Sequence, residues 1–373
     1  MRKWKGLKLI VVKVGTSVLA KADGSLNREY MQQVSDQVSK LVNQGIHVII
    51  VSSGAIVSGA TELKLEGMPQ DIPSRQASAA VGQSILLETW RDVFHKHRLR
   101  VAQILLTYEA FSNRRTYINL RNSMNVLAKQ GVIPIINEND PISVHEIETT
   151  FGDNDKLSAL VAANTNSELL ILLTDVNGLY DKNPRHKDAR LIPEVTEITP
   201  EIERISGNSR TWRTKGGMKS KIEAAKIAMK SNCAIIIANA KERNVLPRII
   251  EGEDIGTLFK PARSSYRNKE RWITYSLSSG KITVDRGARN ALMKGGSLLP
   301  SGIVRVKGDF EAGSIVSIVH QEQEIARGVV DYSSDELQRI KGKHTDHIER
   351  ILGYKNYDNV IRRENLALVH KAK

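Results

Sequence analysis

With 373 residues, 40% of them hydrophobic and 26% charged, the chain is long enough for two domains and typical of a globular protein. No apolar run approaches the roughly 18 residues that cross a bilayer, and one cysteine excludes internal disulfides and cysteine-cluster metal sites. A cytoplasmic protein without a membrane partner is therefore expected. Residues 261–373 contain 20 Lys and Arg residues and 13 Asp and Glu residues, and so carry half of the net charge of +14. This positive surplus favours phosphates or nucleic acid as partners.

Strand-like and helix-like segments alternate over the first 260 residues. The beginning, MRKWKGLKLIVVKVG, is basic and then apolar like a signal peptide, but Lys13 interrupts it and we interpret it as the first strand. Runs rich in Val and Ile predict strands covered on both faces: LKLIVVKV, HVIIV, VAQILL, VIPII, ELLILL and CAIIIA. Helical spacing characterises NREYMQQVSDQVSKLVNQG and YINLRNSMNVLAKQG, which end at Gly45 and Gly131. This alternation predicts an α/β fold, an αβα sandwich with a mainly parallel sheet.

The pattern changes near residue 260. The stretch TLFKPARSSYRNKERW is polar and basic and contains Pro261, which indicates a linker. Short strand-like segments with glycine turns follow, such as GKITVD, GIVRVKGDFEAGSIVSIV and IARGVVDYS. The predicted organisation is a first domain over 1–260, a linker over 261–276, a small β-rich domain over 277–356 and a tail over 357–373.

Polar motifs follow four of the predicted strands, in VVKVGTS, IIVSSGAIVSG, PIINENDPIS and ILLTDVNGLY. Open parallel sheets bind ligands beyond the carboxyl ends of their strands. In VSSGAIVSG a strand passes into a helix whose free N–H groups suit a carboxylate or phosphate, although a plain serine cap would give the same sequence. In TKGGMKSK two glycines permit close approach to an anion beside three lysines, and a solvated basic loop is the alternative. Neither a Walker loop nor a G-x-G-x-x-G motif occurs.

Buried charge is the second signal. Lys13 lies in an apolar strand, where an unpaired ammonium group is costly, so we expect an anion beside it unless the side chain extends to the strand edge. Asp153 and Asp155 in FGDNDKLSALVAA would cap a helix or face a ligand, and an EF-hand is excluded. The neighbouring motif NEND supplies amides and carboxylates at another strand end. We therefore expect a polarised cleft, one half for phosphates and the other for a ligand with an ammonium group.

Taken together, six motifs resemble the amino acid kinase family in order and spacing: VVKVGTSVL, SSGAIVSG, INEND, FGDNDKLSALVA, LLTDVNGLY and GGMKSK. The resemblance covers nearly the whole chain, because GKITVDRGARNAL through GVVDYSSDELQRIKG resembles a PUA domain. Within the family it is closest to the branch that phosphorylates L-glutamate. It implies ATP-dependent phosphorylation of the L-glutamate γ-carboxylate to γ-glutamyl 5-phosphate, the first step of proline biosynthesis.

The resemblance also implies a role for each motif residue. Lys13 and Lys221 match the two lysines that stabilise the transferring phosphoryl group, and Asp155 matches the aspartate that orients them. The substrate-binding residues are Ser53, Gly54, Ala55, Asn139, Asp140 and Asn154. The nucleotide-binding residues are Lys13, Gly15, Thr174, Asp175, Lys215, Gly216, Gly217, Met218, Lys219, Ser220 and Lys221. Lys215 stands where the family often has threonine, so an ionic contact would replace a hydroxyl contact to the nucleotide.

Further expectations concern cofactors and partners. The resemblance implies Mg²⁺ bound with ATP and no metal site made by protein alone. It also implies a dimer or tetramer, feedback inhibition by L-proline at a site overlapping the glutamate pocket, and γ-glutamyl phosphate reductase as a partner. RNA binding through the PUA domain is an open alternative or addition, as is a related acetylglutamate, carbamate or uridylate kinase. No general base is needed, since a glutamate carboxyl with a pKa of about 4.3 is already ionised at neutral pH.

Overall fold

A computed structural model describes residues 1–4, 6–143, 154–184, 186–207, 217–261, 272–274 and 278–369. The chain forms two compact units, one of Met1–Thr107 with Arg121–Ser264 and the other of Tyr108–Leu120 with Ser265–Lys373. The segment Tyr108–Leu120, which lies inside the first predicted domain, thus groups with the C-terminal unit. The predicted linker lies mostly outside the described residues, and the predicted boundaries stay a prediction.

The first unit contains an eight-stranded sheet in the order β3-β4-β2-β1-β5-β7-β8-β6. Its strands are β1 Leu9–Val14, β2 His47–Ser52, β3 Arg100–Leu106, β4 Val132–Glu138, β5 Leu169–Thr174, β6 Glu194–Val195, β7 Ala234–Asn239 and β8 Thr257–Phe259. Six of them, from β3 across to β7, run parallel, and β8 is antiparallel to β7. These six are the apolar runs that the sequence predicts as strands.

Ten α-helices lie between Thr16 and Ile250 in the described residues. They are α1 Thr16–Leu19, α2 Arg28–Asn43, α3 Ala55–Glu62, α4 Ile72–His95, α5 Glu109–Ser112, α6 Arg114–Lys129, α7 Asn154–Thr165, α8 Pro200–Gly207, α9 Met218–Lys230 and α10 Val245–Ile250. The Asn27 side chain accepts a hydrogen bond from the Tyr30 N–H and so begins α2. Gly45 follows the end of that helix in the left-handed region, with φ 83°.

Successive side chains of β1 point to opposite faces of the sheet. Ile10, Val12 and Val14 enter a core formed with α2, α4 and α10. Lys13 therefore points to the opposite face, where α7 packs on β1 and α9 packs on α7. Helices thus cover both faces, and the predicted αβα sandwich with a mainly parallel sheet is confirmed.

The second unit contains a five-stranded sheet in the order β10-β9-β11-β12-β13. Its strands are β9 Gly280–Val284, β10 Ile303–Lys307, β11 Ile315–His320, β12 Gln323–Val329 and β13 Leu366–Leu368. Besides α5, which lies in Tyr108–Leu120, the described residues of this unit include the helices α11 Arg286–Met293, α12 Ser334–Ile340 and α13 Ile348–Leu352. Ser333 and Glu336 form a reciprocal capping box that begins α12. The predicted β-rich domain is confirmed, and β13, from the region predicted as a tail, pairs with β12.

None of the helices in the described part of the chain combines the length and apolar character that a membrane span requires.

Candidate active site

Two lysines from distant parts of the first unit meet on one carboxylate. The Nζ of Lys13, from β1, lies 2.5 Å from Oδ1 of Asp155, and the Nζ of Lys221, from α9, lies 3.0 Å from Oδ2. Asp155 is in the first turn of α7, which packs on β1, while α9 packs on α7. The packing of β1, α7 and α9 therefore brings all three charges together.

These charges are buried. Lys13 is 9% exposed, Lys221 is 7% exposed and Asp155 is 1% exposed. Burial alone would raise the pKa of the Asp155 carboxyl, but the ammonium groups of Lys13 and Lys221 hold it well below its ordinary value. The carboxylate stays ionised at neutral pH, and the trio carries a net charge of about +1. Such a surplus attracts an anionic group.

Residues next to both lysines complete this part of the site. Gly15 follows β1, and a Cβ atom added there would lie 3.2 Å from the Lys13 ammonium nitrogen, so glycine leaves the ammonium group room. Gly217 is the N-cap of α9, and the Ser220 hydroxyl in the first turn donates to Oδ2 of Asp155 over 2.8 Å. The first turn of α9 and the buried Lys221 thus lie at the same end of the helix, and a helix N-terminus favours an anion.

Asn154, the residue before Asp155, belongs to a separate buried network. Its Nδ2 donates to the Ser53 hydroxyl over 2.8 Å and to Oδ1 of Asn137 over 2.9 Å. The Nδ2 of Asn137 in turn donates to Oε1 of Gln83 over 2.8 Å. Two consecutive residues at the start of α7 therefore have chemically different partners. Asp155 contacts the lysine ammonium groups, whereas Asn154 binds neutral polar side chains.

A close helix contact shapes the neutral part. Gly54 lies in the left-handed region with φ 107° and allows the sharp turn from β2 into α3. A Cβ atom added at Gly59 would lie 1.7 Å from the Ser78 carbonyl oxygen, and one added at Gly82 would lie 1.9 Å from that of Ala55. Helices α3 and α4 can therefore pack this closely only through glycine.

The remaining predicted residues lie at other strand ends. Thr174 ends β5, the neighbour of β1, and its hydroxyl donates to the exposed Asp175 carboxylate over 3.1 Å. Asn139 follows β4 and caps a 3-10 turn that begins at the buried Asp140. Met218 and Lys219 begin α9. Lys215 and Gly216 lie outside the described residues, and so does Asp153.

Sequence reasoning missed Gln83. It lies within α4, outside every strand-end motif, and it is 8% exposed. The one feature of the sequence that could have indicated Gln83 is a glutamine on the covered side of a long helix, because buried polar side chains usually form hydrogen bonds. For Asn137 the sequence gives only its place in the motif NEND and no individual role.

The fold and the site together define a class of phosphotransferase. The amino acid kinase family model matches residues 8–239, and a PUA domain model matches residues 280–352. The chain belongs to the amino acid kinase family and carries a PUA domain, as the sequence motifs predicted.

Curated relatives that carry the name glutamate 5-kinase are similar over almost the full length. The protein of Methanococcoides burtonii is 52% identical and the alignment covers 96% of each chain. That of Methanosarcina barkeri is 49% identical, again over 96% of each chain. That of Thermoanaerobacter sp. strain X514 is 47% identical over 97% of this chain and 98% of its own.

Proposed function

We propose that this protein is a glutamate 5-kinase, which transfers the γ-phosphoryl group of ATP to the side-chain carboxylate of L-glutamate. The product, γ-glutamyl 5-phosphate, would enter proline biosynthesis in the cytoplasm. The observation that carries the proposal is the convergence of Lys13 and Lys221 on Asp155. The similarity to relatives named glutamate 5-kinase supports the choice of substrate.

The main physical difficulty of this reaction is charge repulsion between a carboxylate and a polyphosphate. The glutamate carboxylate is already a nucleophile at neutral pH, because its pKa is about 4.3. Lys13 and Lys221 would neutralise the charge on the transferring phosphoryl group, and positioned charges of this kind supply most of the rate enhancement in phosphoryl transfer. Asp155 would hold both ammonium groups in place before the substrates arrive.

The two halves of the site would divide the substrates between them. The lysines, together with Gly15, Thr174, Asp175 and the start of α9, would hold the nucleotide phosphates. Ser53 and Asn154, with the neighbouring turns at Gly54 and Asp140, would hold glutamate. Because Asn154 and Asp155 are adjacent, bound glutamate would lie next to the charged trio of Lys13, Lys221 and Asp155.

Mg²⁺ is the cofactor that ATP chemistry calls for. In the described part of the chain, no group of three or more His, Cys, Asp or Glu side chains could hold a metal ion, and both Asp155 oxygens contact lysines. This donor set fits a magnesium ion that is held mainly by phosphate oxygens and water rather than by a protein cage. Bound in that way, the ion would offset phosphate charge.

The test is glutamate-dependent ADP formation with Mg²⁺, in which hydroxylamine traps the acyl phosphate as a hydroxamate. We expect hydroxamate to form with L-glutamate and ATP and to be absent without either. A panel of acetylglutamate, carbamate and uridine monophosphate tests the related kinases. Turnover of one of these in place of glutamate would refute the proposal.

We extend the proposal to regulation and partners. L-Proline would inhibit by competing with glutamate, and the enzyme would form a homo-oligomer and supply its labile product to γ-glutamyl phosphate reductase. The PUA domain and the basic C-terminal third support RNA as an additional partner. Filter binding at increasing salt tests this, because log affinity should fall with a slope of about −0.7 per phosphate contact on single strands.

A further inference from the structure

The buried network beside the lysines consists of three amide side chains in series. Gln83 accepts from Asn137, Asn137 accepts from Asn154, and Asn154 donates to the Ser53 hydroxyl. Gln83 is 8% exposed, Asn137 is 3% exposed and Asn154 is 4% exposed, so little water reaches the series. Hydrogen bonds in such surroundings are costly to leave unmade.

The orientations of the three amides depend on one another. Each amide has a donor end and an acceptor end, so a rotated Gln83 would set its NH₂ group against that of Asn137. Asn137 and then Asn154 would have to rotate as well to restore the bonds. Asn154 Nδ2 also lies 3.5 Å from the Ser52 carbonyl oxygen, which accepts but cannot donate and thus favours the observed orientation.

This coupling determines what Asn154 offers to a ligand. In the observed orientation Oδ1 of Asn154 is buried and has no hydrogen-bond partner among the described residues. A buried acceptor of this kind is costly unless a donor reaches it. In the opposite orientation the NH₂ group would take its place and would repel an N–H donor.

We propose that Gln83 is a positioning residue that holds Asn154 with its carbonyl oxygen turned to the substrate, where it accepts from the α-ammonium group of the amino acid. This inference rests on the proposed function, since it assumes an amino acid substrate at Asn154. Gly82 contacts the first turn of α3, and this contact places the neighbouring Gln83 beside the candidate active site. Gln83 acts through Asn137 and Asn154 and need not contact the substrate.

The test compares two replacements of Gln83 in the full-length protein. Gln83→Met keeps the approximate volume and removes the acceptor, so the amides of Asn137 and Asn154 are free to rotate. We expect the KM for L-glutamate to rise about tenfold or more, the usual scale for a lost buried hydrogen bond. The KM for ATP should change less than about twofold. Gln83→Glu keeps an acceptor oxygen for Asn137 and should restore most of the glutamate affinity.

Glutarate separates positioning from general damage, because it has both carboxylates but no ammonium group. Gln83→Met should leave the inhibition constant of glutarate near its wild-type value while the KM for glutamate rises. Gln37→Met is the matched control, because Gln37 is another buried glutamine and its Oε1 accepts from the Leu246 N–H. That variant should lose stability and keep both constants.

Each result has one interpretation. A wild-type protein without glutamate-dependent activity refutes the proposed function. An active wild type with an unchanged glutamate KM in Gln83→Met refutes the role of Gln83 alone. Equal weakening of glutamate and glutarate also overturns this role and indicates a packing effect.

Discussion

Replacing Asp155 with asparagine keeps the size of the side chain and removes the charge that holds two lysines. In the wild-type structure the carboxylate oxygens lie 2.5 Å and 3.0 Å from the ammonium nitrogens of Lys13 and Lys221. An amide has one acceptor end, so its NH₂ group would face one of the ammonium groups. The variant would therefore contain two buried cations and a single acceptor.

The energetic cost follows from this geometry. Two unit charges about 4 Å apart attract by about 4 kcal/mol at an effective dielectric constant near 20, and Asp155→Asn removes two such attractions. Because the carboxylate no longer has to be desolvated, the net loss is smaller, about 3–5 kcal/mol for one partner of a buried pair. That is a large part of the roughly 5–15 kcal/mol that stabilises a typical domain. Misplaced lysines should also lower kcat about 100-fold or more.

Urea unfolding gives the stability change, and the hydroxamate assay gives kcat at a temperature where the variant is folded. Asp331→Asn is the matched control, because Asp331 accepts two bonds from Arg362, at 3.0 Å and 3.1 Å, in the C-terminal unit. The control should lose stability and keep kcat. Wild-type kcat in Asp155→Asn, or an equal loss of kcat in both variants, would refute the reasoning.

Three further predictions follow from the same structure. Lys13→Ala should lower turnover by orders of magnitude while circular dichroism shows a folded protein, and unchanged turnover would contradict the role of Lys13. Because the pKa of Asp155 is lowered on folding, its pairing stabilises the protein above about pH 4 and is lost as the pH falls further. Unfolding free energies between about pH 4 and 2 should therefore fall more steeply for wild type than for Asp155→Asn, and equal slopes would be inconsistent with this. Gly59→Ala places a methyl group 1.7 Å from the Ser78 carbonyl oxygen and should cost about 1–3 kcal/mol or more in thermal unfolding. Gly287→Ala is the control, because its methyl group would meet only an Asp285 side-chain oxygen, at 3.3 Å. The control should change stability by less than about 1 kcal/mol. Equal stability losses in Gly59→Ala and Gly287→Ala would argue against the clash at Gly59.

Much of the fold could be predicted because its physical causes are local. A continuous run of Val and Ile, such as IVV in β1, is stable only with both faces covered, which indicates a parallel strand between helix layers. Lys13 inside that run requires a compensating anion, and in the structure Oδ1 of Asp155 lies 2.5 Å from its ammonium nitrogen. The assignment of Tyr108–Leu120 could not be predicted, because it depends on distant contacts. Within the C-terminal unit, for example, the indole N–H of Trp272 donates to the Phe111 carbonyl oxygen over 3.1 Å.

By itself, the sequence determined the alternation of strands and helices, the polar strand ends and the family motifs, since each depends on residues close together in the chain. Tertiary structure decided which charges meet. Lys13 and Lys221 share a carboxylate only because α7 lies between β1 and α9. Gln83 has no motif of its own and reaches Asn137 only because α4 packs against the 3-10 turn that follows β4. Long-range packing brings together side chains that are far apart in the sequence and share no periodic pattern. Such partners are therefore determined by the tertiary structure.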